Sequence, residues 1–196
     1  MTTTSLHHIS PDSQEMLTLL RQLQADSLQV LEQVRPELGQ MKTIGVNAKG
    51  DDQKSFDIVT DKWIRQWLTT HFESGVVESE EMINAFEFGR SEQGFRFIVD
   101  PVDGSDNFAR GLPLSAISLA MLPRQMPLST DEVAYALVGD TSRPEALIAA
   151  RNDGAYSGDQ RLHTSKMQHL DDAFISCELN HWAPDASLAE LMQTCS

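Results

Sequence analysis

The stretch that decides the fold is Phe95-Arg96-Phe97-Ile98-Val99-Asp100-Pro101-Val102-Asp103-Gly104-Ser105-Asp106-Asn107-Phe108. Its first five residues read as an apolar strand. That strand delivers Asp100 at its carboxyl end, where binding sites in layered α/β proteins sit. Pro101 has no N–H and stops the strand's hydrogen-bond ladder. Asp103 follows closely enough for the chain to curl and aim both carboxylates at one point. Gly104 permits an unusual backbone angle there. Ser105 adds a hydroxyl, and the N–H groups after the glycine can face an anion. Hard oxygen donors of this kind suit Mg²⁺. The same residue types also make an ordinary Asp-Gly-Ser turn, and spacing alone leaves both readings open. A calcium EF-hand loop is excluded by Pro101 and by Gly111, which stands where that loop needs Glu.

Outward from this stretch the chain reads as helices first and strands later. Ser10-Pro11-Asp12 has the composition of a helix start. Met16, Leu20, Leu23, Val30, Leu31 and Val34 then recur at helical spacing, predicting a long amphipathic helix that ends near Pro36. Gly45 to Ser55 reads as a polar loop. A second helix is expected from about Thr60 to Ser74, with Trp63, Ile64, Trp67, Leu68 and Phe72 on one face as core residues. Short apolar runs follow at Val76-Val77, Ser115 to Leu122, Val133 to Gly139 and Ala146 to Ala150. Asn152-Asp153-Gly154 and Gly158-Asp159 mark tight hairpins. Phe174 to Cys177 reads as another strand, with Cys177 as a small buried hydrophobe. Pro184 onwards reads as the start of a helix that runs to the last residue without a stop signal, so a truncated chain is expected.

The chain has 196 residues, 15 Lys plus Arg and 29 Asp plus Glu, for a formal net charge of −14. Its 40% apolar content is that of a globular protein and excludes wholesale disorder. An acidic surface repels nucleic-acid phosphates and anionic membranes. Neither partner is expected, and a phosphorylated ligand would need a bound cation. The two cysteines, Cys177 and Cys195, lack metal-cluster spacing. The polar N-terminus is no secretory signal, and no apolar run approaches the roughly 18 residues of a membrane span. A cytoplasmic protein is the expectation. Glu78 and Glu81 read as solvated charges or as supports for other ligands.

The nonapeptide Asp100–Phe108 fills every fixed position of D-P-[hydrophobic]-D-G-[ST]-x-N-F, and so resembles the first signature of the inositol monophosphatase family. Ser79-Glu80-Glu81 after Val76-Val77 is similar to that family's G-E-E segment, and Asp57-Ile58-Val59-Thr60-Asp61 to its D-x-V-T-x-x-D segment. Gly111-Leu112-Pro113, Ser118-Leu119-Ala120, Asn152–Tyr156 and Leu162–Ser165 resemble its later parts. The resemblance implies an α/β layered fold, the N-terminal portion of an αβαβα sandwich. It implies a first domain over 1–165 and the start of a second over 166–196.

It also implies a Mg²⁺-dependent phosphomonoesterase with two or three ions per site. Glu80, Asp100 and the carbonyl of Val102 would hold the first metal, with the Ser105 hydroxyl nearby. Asp100 would bridge to a second metal that Asp103 also holds. Asp61, Ser105 and Glu80 would be the catalytic residues, with Asp61 and Ser105 orienting and deprotonating the attacking water. Asp103, Gly104 and Ser105 would hold the substrate. That substrate is a small phosphate monoester, inositol monophosphate or a similar polyol or sugar phosphate first. Alternatives are a 3′(2′),5′-bisphosphate nucleotide, histidinol phosphate or fructose 1,6-bisphosphate.

The chain departs from the family pattern twice. Asp61 follows Thr60 directly, where the pattern has two intervening residues. Either Asp61 serves from a helix that starts early, or Asp57 takes the role; the reading adopts Asp61, whose other role is a helix N-cap. The later W-D-x-A segment is absent: Trp63, Trp67 and Trp182 are followed by Ile, Leu and Ala. A different class of function is therefore a catalytically weak metal- and phosphate-binding module. Its uncovered apolar face would invite self-association, which leaves room for a homodimer.

Overall fold

The computed structural model describes residues 12–35, 43–47, 52–90 and 92–174. The chain divides into two compact units, Met1–Leu162 and His163–Ser196.

Two helices carry the outer layer of the first unit. Helix α1 spans Ser13–Val34, and Asp12 caps it by accepting the Gln14 N–H at 3.3 Å. The expected cap, Ser10 with Pro11, lies outside the described residues. Helix α2 spans Ser55–His71 and begins five residues before the expected Thr60. Its early start has a local cause: the Asp57 carboxylate accepts the Lys54 N–H at 2.9 Å, satisfying a donor at the helix entrance. The predicted polar loop before it contains two short antiparallel strands, β1 (Thr43–Val46) and β2 (Asp52–Lys54).

The sheet beneath the helices uses β3 (Gly75–Ser79), β4 (Phe86–Phe88), β5 (Phe95–Asp103), β6 (Ala116–Pro123), β7 (Tyr135–Asp140), β8 (Ala146–Ala150), β9 (Gly154–Ser157) and β10 (Gln160–Arg161). Its spatial order is β10-β9-β8-β7-β6-β5-β3-β4. Among the described strands of this sheet, β3 and β5 pair in parallel and the other neighbours are antiparallel. Alternation decides the faces. Phe97, Val99, Ile117, Leu119, Met121, Leu137 and Ile148 point into one core with Leu17, Leu20, Leu23, Ile64 and Leu68. Each such side chain contributes roughly 1.5–3 kcal/mol on burial. Helix α1 packs over β7 and β8, and α2 over β3 and β5. Trp67 is core, as the sequence implies, and its indole N–H donates to Asp26 at 3.0 Å. The opposite sheet face is more open: Val138 is 45% and Leu147 50% exposed.

Strand β5 does not stop at Pro101. It continues to Asp103 through a bulge, since Asp100 pairs with Ser118 and Asp103 with Ala116, leaving one extra residue on β5. A short helix α3, Ser105–Ala109, follows.

In the second unit a 3-10 turn covers Leu170–Asp172. Phe174, expected to open a strand, is 95% exposed and outside any strand. The rest of that strand and the helix from Pro184 lie outside the described residues. Among the described residues no helix is long and apolar enough to cross a membrane.

Candidate active site

Because β3 and β5 run in parallel, their carboxyl ends lie side by side. The Glu80 N–H donates to the Val99 carbonyl at 3.1 Å, which puts Glu80 beside Asp100. Both residues line a groove of about 540 Å³ that continues along the open sheet face past Ser118 and Ala120 to Val138. Asp100 accepts the Val102 N–H at 3.2 Å across the bulge. Asp103 is exposed at the strand's end.

Gly104 turns the chain from β5 into α3. Its φ of +75° lies in the left-handed region that favours glycine. A Cβ here would sit 2.7 Å from the Leu114 carbonyl oxygen, so the loop after α3 also excludes a side chain. The turn aims Ser105 back at α2. The Ser105 hydroxyl oxygen lies 2.8 Å from Asp57 Oδ1 and 2.9 Å from the Val102 carbonyl oxygen. Its single proton serves one of these acceptors at a time.

The structure therefore places Asp57, not Asp61, against Ser105. Asp61 sits one helical turn further on and is 2% exposed. Its Oδ2 pairs with Arg65 at 2.8 Å, and its Oδ1 is buried without a hydrogen-bond partner. The physical reason is the early start of α2: the helix begins at Ser55, so the first-turn position belongs to Asp57.

Two further residues come from the region read as a loop. Asn47 Nδ2 donates to Glu80 Oε1 at 3.3 Å, and Gln53 Nε2 to Glu81 Oε2 at 2.5 Å. The β1–β2 hairpin thus holds both glutamates, a role with no signal in the polar sequence of that segment. Glu78 pairs with Arg96 at 2.5 Å.

The electrostatics are those of crowded acids. Burial pushes the Asp57 carboxyl above its ordinary range; hydrogen bonds from Ser105 and Lys54 oppose this, and nearby Glu80 adds to it. Burial also raises Glu81, opposed by Gln53 and reinforced by Asp57, Glu80 and Asp61. Asp106 is held low, chiefly by the ammonium of Lys54. The crowding and the orphaned Asp61 oxygen mark a region short of positive charge, and its donors are hard oxygens that suit Mg²⁺. They flank the site rather than close a cage: among the described residues no three His, Cys, Asp or Glu side chains converge at metal-ligating distance. Mg²⁺ commonly takes one or two carboxylates and completes its shell with water and phosphate, so the donors present fit that ion.

The family model of the inositol monophosphatase family matches residues 12–191. Inositol-1-monophosphatase of Rhizobium meliloti is 30% identical over 152 residues, 74% of this chain and 52% of that protein. Fructose-1,6-bisphosphatase of Pyrococcus furiosus is 27% identical over 125 residues, 64% of this chain and 44% of that protein. The chain thus spans about half the length of the curated relatives it matches. The crystal structure of extragenic suppressor protein suhB from Bartonella henselae superimposes with a TM-score of 0.65 at 25% identity, covering 81% of this chain and 57% of that one. With the family model matching residues 12–191, and the sheet and signature loop consistent with it, the chain belongs to the inositol monophosphatase family.

Proposed function

We propose that this chain carries the metal- and phosphate-binding part of a Mg²⁺-dependent phosphomonoesterase acting on a small phosphate ester, inositol monophosphate or a similar polyol or sugar phosphate first. The observation that supports the reading most is the Asp57–Ser105 hydrogen bond beside the shared carboxyl ends of β3 and β5. Glu80, Asp100, Asp103 and the Val102 carbonyl would hold the metal. Bound Mg²⁺ would acidify a water, neutralise phosphate oxygens and stabilise the leaving alkoxide.

The remaining steps fall to the chain's own groups. Ser105 Oγ donates a hydrogen bond to Asp57 Oδ1, which turns its lone pairs toward the attacking water; as that water's proton passes to Ser105 Oγ, the hydroxyl's own proton passes to Asp57. Asp57 is the residue that takes up the proton, and burial favours this by raising its basicity. When the Val102 carbonyl is engaged elsewhere, Asp57 becomes the hydroxyl's remaining acceptor, which fixes the direction of transfer. The first N–H groups of α3, outside its internal ladder, are where we assign the phosphate. Asp103 and Gly104 border that position.

A second reading is a module that binds metal and phosphate with weak or no turnover. It is favoured by the absence, among the described residues, of a third converging carboxylate. Phosphate release with millimolar Mg²⁺ separates the two, run on inositol, sugar and nucleotide phosphates, histidinol phosphate and fructose 1,6-bisphosphate. The enzyme reading expects metal-dependent turnover that Asp100→Asn abolishes. Turnover indifferent to both Mg²⁺ and Asp100 would sink it; phosphate binding without turnover would establish the module.

A further inference from the structure

Lys54 is a lysine where a solvated one would cost nothing, yet its side chain is only 9% exposed. Taking an ammonium out of water is expensive unless it is paired. Its Nζ lies 2.7 Å from Asp106 Oδ1, and Asp106 itself is more than half exposed and also pairs with Arg110 at 3.2 Å. A pair with one end in solvent stabilises a fold little. What the contact does instead is geometric. The Lys54 N–H donates to Asp57 Oδ2, and Ser105 donates to Asp57 Oδ1. Ser105 is bonded through the chain to Asp106, and Asp106 closes back on the Lys54 ammonium. Four residues form a closed circuit that joins the start of α2 to the start of α3. Both oxygens of Asp57 are engaged, one from each element, so the carboxylate cannot turn while the two starts stay in register. Without the ammonium, the Asp57–Ser105 bond must hold that register as well as perform its own role.

We infer that Lys54 is a positioning residue, whose buried ammonium holds α3 against α2 and keeps the Asp57 carboxylate aimed at the Ser105 hydroxyl. The inference rests on the phosphomonoesterase reading for its kinetic consequence, but not for its structural one. Lys54→Met keeps the main-chain N–H to Asp57 and removes only the ammonium. Lys54→Arg restores a cation, and Asp106→Asn breaks the circuit from its exposed side should Lys54→Met fail to fold.

With Mg²⁺ and a small phosphate ester, Lys54→Met and Asp106→Asn are expected to lower kcat by about tenfold or more, because small misplacement of reacting groups is costly. KM should stay within about twofold, since the residue acts on orientation rather than uniform binding. Lys54→Arg should recover most of the loss. A KM that rises while kcat holds would overturn the inference and make Lys54 a direct phosphate ligand. Crystal structures of the same variants supply a readout that needs no turnover: the Asp57–Ser105 separation should grow beyond hydrogen-bonding distance. If that bond persists unchanged in Lys54→Met or Asp106→Asn, the positioning role is refuted whatever the activity. If wild-type protein shows no turnover while the bond is lost in the variants, the functional reading fails and the positioning role stands.

Discussion

Replacing Gly104 by alanine tests the turn that aims Ser105. The perturbation has two separable parts. A non-glycine residue in the left-handed region costs about 1–2 kcal/mol. The new Cβ also falls 2.7 Å from the Leu114 carbonyl oxygen, well inside ordinary van der Waals contact. That oxygen accepts from Asn107 Nδ2 at 2.9 Å, so its retreat strains a hydrogen bond of about 1 kcal/mol. Together these give a loss of about 2–3 kcal/mol. For a chain of this size that is a Tm decrease of about 5–10 °C. Gly111 is a built-in control: its φ is +73°, and a Cβ there meets nothing within 4 Å. Gly111→Ala therefore carries the conformational part alone. Urea denaturation of both variants, read by circular dichroism, should place Gly104→Ala about 1 kcal/mol or more below Gly111→Ala. Equal losses would refute the claim that the loop after α3 closes on Gly104.

Asp57→Asn should lower turnover by about 10²–10⁴-fold while preserving the fold, measured as phosphate release beside a denaturation curve. Asp61→Asn should instead act on stability, costing about 1–3 kcal/mol through the loss of the charged partner of Arg65; a larger kinetic effect at Asp61 than at Asp57 would reverse the assignment. Protein without metal should lose stability as pH rises from the ordinary carboxylate range toward the raised values of Asp57 and Glu81, because across that window the folded state binds more protons than the unfolded one. The opposite slope in denaturation midpoints would contradict the burial of these acids. Mg²⁺ at millimolar concentration should raise Tm, and inorganic phosphate should raise it further only when Mg²⁺ is present; no shift under either condition counts against a formed site.

Much of this was legible in the sequence where local pattern and final structure agree. The alternation in Phe95–Val99 gives β5 because one face meets the core, and the signature after it needs only local geometry to turn. The misses share a cause. The described residues of β1 and β2 include few core residues, and part of their support comes from contacts of Asn47 and Gln53 to Glu80 and Glu81 that are distant in sequence. Strand β4 is three residues at the sheet edge, too short for a period. The choice of Asp61 rested on Trp63, Ile64 and Trp67 following it at helical positions, whereas the point at which the helix begins decides which carboxylate meets Ser105. That point follows from where Asp57 caps its own helix, a fact that becomes visible only once Lys54 and Ser105 are placed on either side of it.

The same placement explains how a chain of net charge −14 could receive a phosphate. Charges beyond roughly 8 Å are largely screened at physiological ionic strength, so the total matters less than the few groups around the loop. There the balance is still negative: Glu80 raises Asp57, Asp57 and Glu80 raise Glu81, and the buried Lys54 ammonium is already paired with Asp106. An anion entering this site alone meets repulsion, and a divalent cation entering alone lacks part of its shell. On the proposed reading each therefore favours the other, and by linkage the factor by which Mg²⁺ strengthens phosphate binding equals that by which phosphate strengthens Mg²⁺ binding. On that reading the acidic loop would act as a selector. It disfavours anions that enter alone and favours those bound together with a metal.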